Sequence, residues 1–157
     1  MKKIFIAMAL CLMSFTSVSA QAIYNEVNKI MQQAEKVKND TTKDMQLRLI
    51  ATFKSDAIYY MILQSSKDST FTEYTLGQQT FAMTEFVNSF VRKIAKARND
   101  QAKEVIIADY KNASLAHSLF NDMDKEVTYA YVDNKRFITN FSLDTDWEKA
   151  LEEVKNK

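Results

Sequence analysis

A chain of 157 residues with 21 basic and 20 acidic side chains carries a formal charge of +1, so it has no bulk electrostatic drive toward nucleic acid or anionic lipid. One cysteine, one histidine, one glycine and no proline exclude a zinc site of usual composition and a redox dithiol, and disfavour a sandwich or barrel built on many glycine turns. Few, long helices joined by Asn, Asp, Ser and Thr turns fit this composition.

The chain opens as an export signal. Lys2 and Lys3 give a positive start, and Ile4 to Phe15 is uncharged and mostly apolar. Val18-Ser19-Ala20 then forms a cleavage site, with cleavage expected after Ala20 and Gln21 as the new N-terminus. The run is too short for a spanning helix, which needs about 20 apolar residues. Leu10 before Cys11 argues against a lipoprotein site. No later segment is long or apolar enough to span a bilayer, so no transmembrane segment is expected after cleavage. Removal of the leader takes away the only cysteine and, with Lys2 and Lys3, shifts the formal charge from +1 to −1. The expected organisation is a signal peptide over residues 1–20 and one domain over 21–157, stabilised by packing without disulfides.

The first predicted helix covers Ala22 to Lys38, where Ile23, Val27, Ile30, Ala34 and Val37 keep helical spacing. Asn39-Asp40-Thr41-Thr42 reads as a turn. A second helix is predicted from about Lys43 to Gln64, with Leu47, Ile50, Ala51, Ile58, Met61 and Ile62 on one side. After the loop Ser65 to Ser69, Thr70 and Glu73 have capping-box spacing and would start a third helix reaching about Arg98. Gly77 weakens that helix by about 1 kcal/mol relative to alanine. The alternative is an extended piece, Thr70 to Leu76, before a helix from Gln78. A fourth helix is predicted from about Gln101 to Phe120.

The pattern then changes. Val127 to Val132 and Arg136 to Phe141 are β-branched and aromatic runs around Asp133-Asn134-Lys135, which predicts a β-hairpin near 127–141. A three-residue loop would put Tyr129, Tyr131 and Phe141 on one face; a two- or four-residue loop would separate them, and the register stays open. Thr145 and Glu148 have the spacing of a second capping box and open a final short helix with Trp147, Leu151 and Val154 on one side. The fold class is therefore mainly α: a four-helix bundle-like body or stacked helical hairpins, then a β-hairpin and a short C-terminal helix.

No constellation carries recognisable chemistry. His117 has Ser114 and Ser118 beside it and Asp109 upstream, but no nucleophile elbow or glycine-lined oxyanion loop accompanies them. The acidic clusters at Asp122 and Asp124 and at Asp144, Asp146 and Glu148 lack the spacing of a calcium loop, and helix capping accounts for the second. No catalytic residue, metal site or cofactor is expected. Seven tyrosines and one tryptophan supply aromatic groups with polar tips, suited to interfaces and sugar stacking. Asp40-Thr41-Thr42 and Asp68-Ser69-Thr70 look like the O-glycosylation sites of exported Bacteroidota proteins, with Thr41 and Ser69 as the modified hydroxyls.

The signal, the helical body with Phe81-Ala82-Met83 and Phe86-Val87-Asn88, and the ending Phe141 to Trp147 resemble small exported proteins of Bacteroidota with no assigned function. The resemblance implies export to the periplasm, cell surface or medium and brings no catalytic residues. The functional expectation is a non-enzymatic binding or interaction protein of the bacterial envelope, with a protein or glycan partner and Tyr129 and Tyr131 as the first surface to test. Two other classes stay open: a small carboxylate-dependent hydrolase acting on envelope or dietary polymers, and a structural or chaperone-like subunit.

Overall fold

The computed structural model describes residues 20–122, 127–131 and 138–156, with side chains over 21–122 and 140–156. The expected leader, residues 1–19, lies outside the described residues. Among the described residues five helices and two short strands follow one another: α1 (Ala20–Asn39), α2 (Met45–Ser65), α3 (Glu73–Lys96), α4 (Asp100–Ala116), β1 (Val127–Tyr131), β2 (Ile138–Ser142) and α5 (Trp147–Lys155). The fold is mainly helical and bundle-like. α1 packs on α2 and α3, α3 on α4 and α5, and the strands lie against α2 and α4.

Polar side chains start most of these helices. Asp44 accepts from the Gln46 N–H at 2.8 Å, Thr72 from Thr75 at 3.2 Å, Asn99 from Ala102 at 2.8 Å and Asp146 from Lys149 at 3.3 Å. Each satisfies an N–H that the first helical turn leaves without a partner. The core lies where α2, α3, α4, β2 and α5 converge. Phe141 sits at its centre, fully buried, with the rings of Phe53, Phe86 and Phe90 at 5.5, 5.3 and 5.1 Å, all edge-on. Trp147 closes the cluster against Phe53 and Phe86 at 5.8 and 5.4 Å. Such pairs contribute about 0.5–1.5 kcal/mol each beyond burial of their area. Lys93 ties α3 to the end of α5, donating to the Val154 carbonyl at 3.0 Å.

Several boundaries differ from expectation for identifiable reasons. Thr70 does not cap α3, because Asp68 Oδ1 holds its N–H at 2.9 Å and its hydroxyl at 2.7 Å; Thr72 is the cap. The extended alternative over Thr70 to Leu76 is not found, since α3 runs unbroken through Gly77. There α1 comes so close that a Cβ on Gly77 would lie 2.5 Å from Ile23 Cγ2. α4 ends at Ala116 rather than Phe120, because the next N–H groups turn toward Asp144. Thr145 does not cap α5; its hydroxyl is buried, 2.6 Å from the Ser142 carbonyl oxygen and 3.0 Å from that of Ser114.

β1 and β2 pair antiparallel, with Thr128 opposite Phe141, Tyr129 opposite Asn140 and Tyr131 opposite Ile138. Phe141 and the two tyrosines therefore occupy alternate rows of the ladder, the arrangement that an even loop length gives. The described part of the second strand is Ile138–Ser142; Arg136 and Phe137, where the expected run begins, lie outside the described residues. The connection over 132–137, which would close the expected hairpin, lies outside the described residues.

Candidate functional site

The sequence pointed to several positions, and the structure distributes them. Tyr129 and Tyr131 are on β1, and their side chains lie outside the described residues. Thr41 and Ser69 are exposed in the turns before α2 and α3. Those turns share one geometry. Asp40 Oδ1 accepts the Thr42 N–H at 3.0 Å and its hydroxyl at 2.6 Å, as Asp68 does with Thr70. The threonine hydroxyl in each case holds the aspartate below the usual carboxylate range. His117, Ser114 and Ser118 do not form a catalytic set. The imidazole pairs with Glu153 at 3.0 Å, Ser114 accepts from the Ser142 N–H at 2.9 Å, and Ser118 donates to Asp144. Among the described residues no three His, Cys, Asp or Glu side chains converge as a metal site would need, and no helix is long and apolar enough to cross a membrane.

A feature with room for a ligand lies elsewhere, in a groove of about 660 Å³ between α1, α2 and α3. Its making follows from helical spacing. α1 contributes Ile30, Gln33, Ala34 and Val37, at i, i+3, i+4 and i+7. Leu47, Ile50, Ala51 and Lys54 come from α2 at i, i+3, i+4 and i+7. α3 adds Thr84, Asn88, Val91 and Arg92. Each helix thus gives one face. Ala34, Ile50 and Ala51 are the buried part of this lining, and Leu47, 52% exposed, stands at its outer edge. The two alanines fill little of the space between α1 and α2. The tight Ile23–Gly77 approach occurs at the first turns of α1 and α3; the groove lies along their later turns.

Lys54 is the unusual member. Its ammonium donates to Asn88 Oδ1 at 2.7 Å across the groove. Burial pushes its pKa down, and the charge of Glu85 opposes that shift. Glu85 itself is bonded to Arg92 at 2.6 Å. The other acids nearby are also engaged: Lys38 reaches Glu35 at 3.4 Å and Asp56 at 3.6 Å, and Glu35 accepts from the Ser55 hydroxyl, the main cause of its lowered pKa. Among the described residues Lys54 has no carboxylate within ion-pair distance. One turn before Asn88, the Thr84 hydroxyl is buried with no partner.

Sequence reading did not single out Lys54 or Asn88. A signal was present: Leu47, Ile50 and Ala51 define a stripe, and Lys54 falls on its next position. A cation in line with an apolar stripe marks either an interrupted stripe or a polar group set into an apolar surface. Comparison with family models, with curated proteins and with solved structures finds no match for this chain.

Proposed function

We propose that this chain is an exported, non-enzymatic binding protein of the bacterial envelope, and that it holds its ligand in the groove between α1, α2 and α3. The observation that carries this reading is the half-buried Lys54 ammonium, which has no carboxylate within ion-pair distance among the described residues, in a largely apolar groove. Ligand sites combine apolar lining with a few placed polar groups, in volumes of roughly 300–1,000 Å³. Export is supported by the order of positive start, apolar run and small-residue cleavage site in the first 20 residues. Among the described residues the groove lining contains no acid, which does not favour the two-carboxylate chemistry of the hydrolase reading.

Two measurements test the proposal. Expressed with its own leader in a Gram-negative host, the envelope form should begin at Gln21 by mass spectrometry; an envelope form still beginning at Met1 overturns cleavage. Amide spectra of that product, titrated with the small-molecule fraction of envelope extract, should shift around Ala34, Leu47, Lys54 and Asn88. Leu47→Glu should suppress the shifts. Shifts confined to β1 would move the site to Tyr129 and Tyr131. Thr41 and Ser69 are proposed as glycan attachment points, supported by their exposure in two like turns. Added mass lost in Thr41→Ala and Ser69→Ala would establish them, and an unmodified envelope form would remove them.

A further inference from the structure

We infer that the groove takes a single-chain amphiphile with a carboxylate head, anchored by Lys54 while the chain lies along the apolar lining. The inference rests on the groove being the ligand site and adds the chemistry of what fills it. A half-buried ammonium is costly unless a counter-charge or several acceptors replace its water. Here the described side chains supply one neutral amide oxygen, at 2.7 Å from Asn88. Glu85 acts on the ammonium only at a distance; an incoming carboxylate would supply a direct counter-charge through a charge-assisted hydrogen bond. The Thr84 hydroxyl, on the same face of α3 as Asn88 and one turn away, is buried without a partner, and a rotation of its side chain would let it donate to the second oxygen.

The apolar part of the lining, which outweighs the polar Gln33 at its exposed edge, decides the body of the ligand. Ile30, Val37, Leu47, Ile50 and Val91 offer no polar side-chain atom, so they favour methylene groups over a sugar or peptide backbone. The charge pattern decides the number of heads. Arg92 is already paired with Glu85 at 2.6 Å, and Lys43 is exposed in the α1–α2 turn, where water and salt screen it. One desolvated cation remains, which suits one monoanionic head. An acidic amphipathic helix would ask for a row of unpaired cations, and a phosphate dianion for more than one strong donor.

Calorimetric titration tests this with three probes that share a twelve-carbon chain: laurate and dodecyltrimethylammonium below their micellar concentrations, and dodecanol below its solubility limit. The protein is the full envelope product, wild type and Lys54→Met, with thermal melting to establish that the variant is folded. Laurate should bind one per chain, at least tenfold more tightly than dodecanol, and the cationic probe should not displace it. Lys54→Met should weaken laurate at least tenfold and leave dodecanol unchanged. Lys54→Arg should keep most of the laurate affinity, and Thr84→Val should lose a smaller part of it. Equal binding of laurate and dodecanol, indifferent to Lys54→Met, overturns the anchor while the groove stands as a binding site. Absence of binding by all three overturns the amphiphile even where envelope extract shifts the groove amides. Binding of an acidic amphipathic peptide without binding of laurate overturns it in favour of a partner helix.

Discussion

Asp144 and Asp146 stand two positions apart, and their carboxylates meet different demands. Asp144 is 1% exposed and receives the N–H groups of Leu119, Phe120 and Asp122 at 3.1, 2.7 and 3.0 Å, together with the Ser118 hydroxyl. It thereby organises the chain that leaves α4. An asparagine there would aim an NH₂ at donors and leave buried N–H groups unpaired, each costing about 1–3 kcal/mol. Asp144→Asn is expected to lose about 2–4 kcal/mol in denaturant unfolding. Asp146 caps α5, and asparagine caps as well as aspartate does. Its salt bridge to Lys149, at 2.8 Å, is largely solvent-exposed on the lysine side and so of small value. Asp146→Asn should therefore cost less than about 1 kcal/mol at neutral pH. Burial raises the Asp146 pKa, but hydrogen bonds from Lys149 and Gln79 outweigh it and the net shift is downward. A carboxylate depressed in the folded state stabilises above its unfolded pKa, about 3.9, and that contribution fades as pH falls through the lower folded value. Asp146→Asn should thus flatten the loss of stability below about pH 4. An unchanged acid limb would remove Asp146 from that linkage.

Among the elements, the α1–α3 crossing depends on the chain's single glycine. Alanine at Gly77 would gain about 1 kcal/mol of helix propensity, but its Cβ would lie 2.5 Å from Ile23 Cγ2, and overpacking costs about 1–3 kcal/mol. Gly77→Ala is expected to destabilise by up to about 2 kcal/mol in the wild type. In an Ile23→Ala background the same change should stabilise by about 1 kcal/mol. The reversal of sign, read from a double-mutant cycle, reports the contact; equal effects in both backgrounds would mean that Ile23 moves aside at no cost. The helices themselves were legible because their apolar residues recur at helical spacing, as Val27 and Ala34 do in α1 and Met83, Val87, Phe90 and Ile94 do in α3. Their ends were less legible. Thr70 has the right spacing to cap α3, but the nearer Asp68 competes for it, and spacing alone does not rank competing partners. The end of α4 depends on Asp144, 24 to 26 residues further along, which no local window contains.

At the scale of the molecule, a groove is legible only where faces of different helices meet. α2 carries buried residues around much of its circumference, from Ile50 and Phe53 to Ala57 and Tyr60, because α1, α3 and β1 all pack on it. In such a helix a lysine reads as an interruption of the apolar pattern. The α1 and α3 residues that turn Lys54 into part of a site, Ala34 and Asn88, are contributed from 20 and 34 positions away. A group kept for binding is a group the fold would be more stable without. Methionine at position 54 keeps most of the length of the side chain, removes the charge that burial disfavours and gives up one hydrogen bond, to Asn88, whose amide can turn to solvent at the groove. Lys54→Met should therefore raise stability by about 0.5–1 kcal/mol, or about 2–4 °C in the melting temperature. Added laurate should raise the wild-type melting temperature by mass action and leave that of the variant nearly unmoved. The two melting curves would thus converge as laurate is added. A variant that melts below the wild type without ligand would show that the ammonium–Asn88 bond stabilises the fold by more than the burial of the charge costs, and that Lys54 has a structural reason for its place.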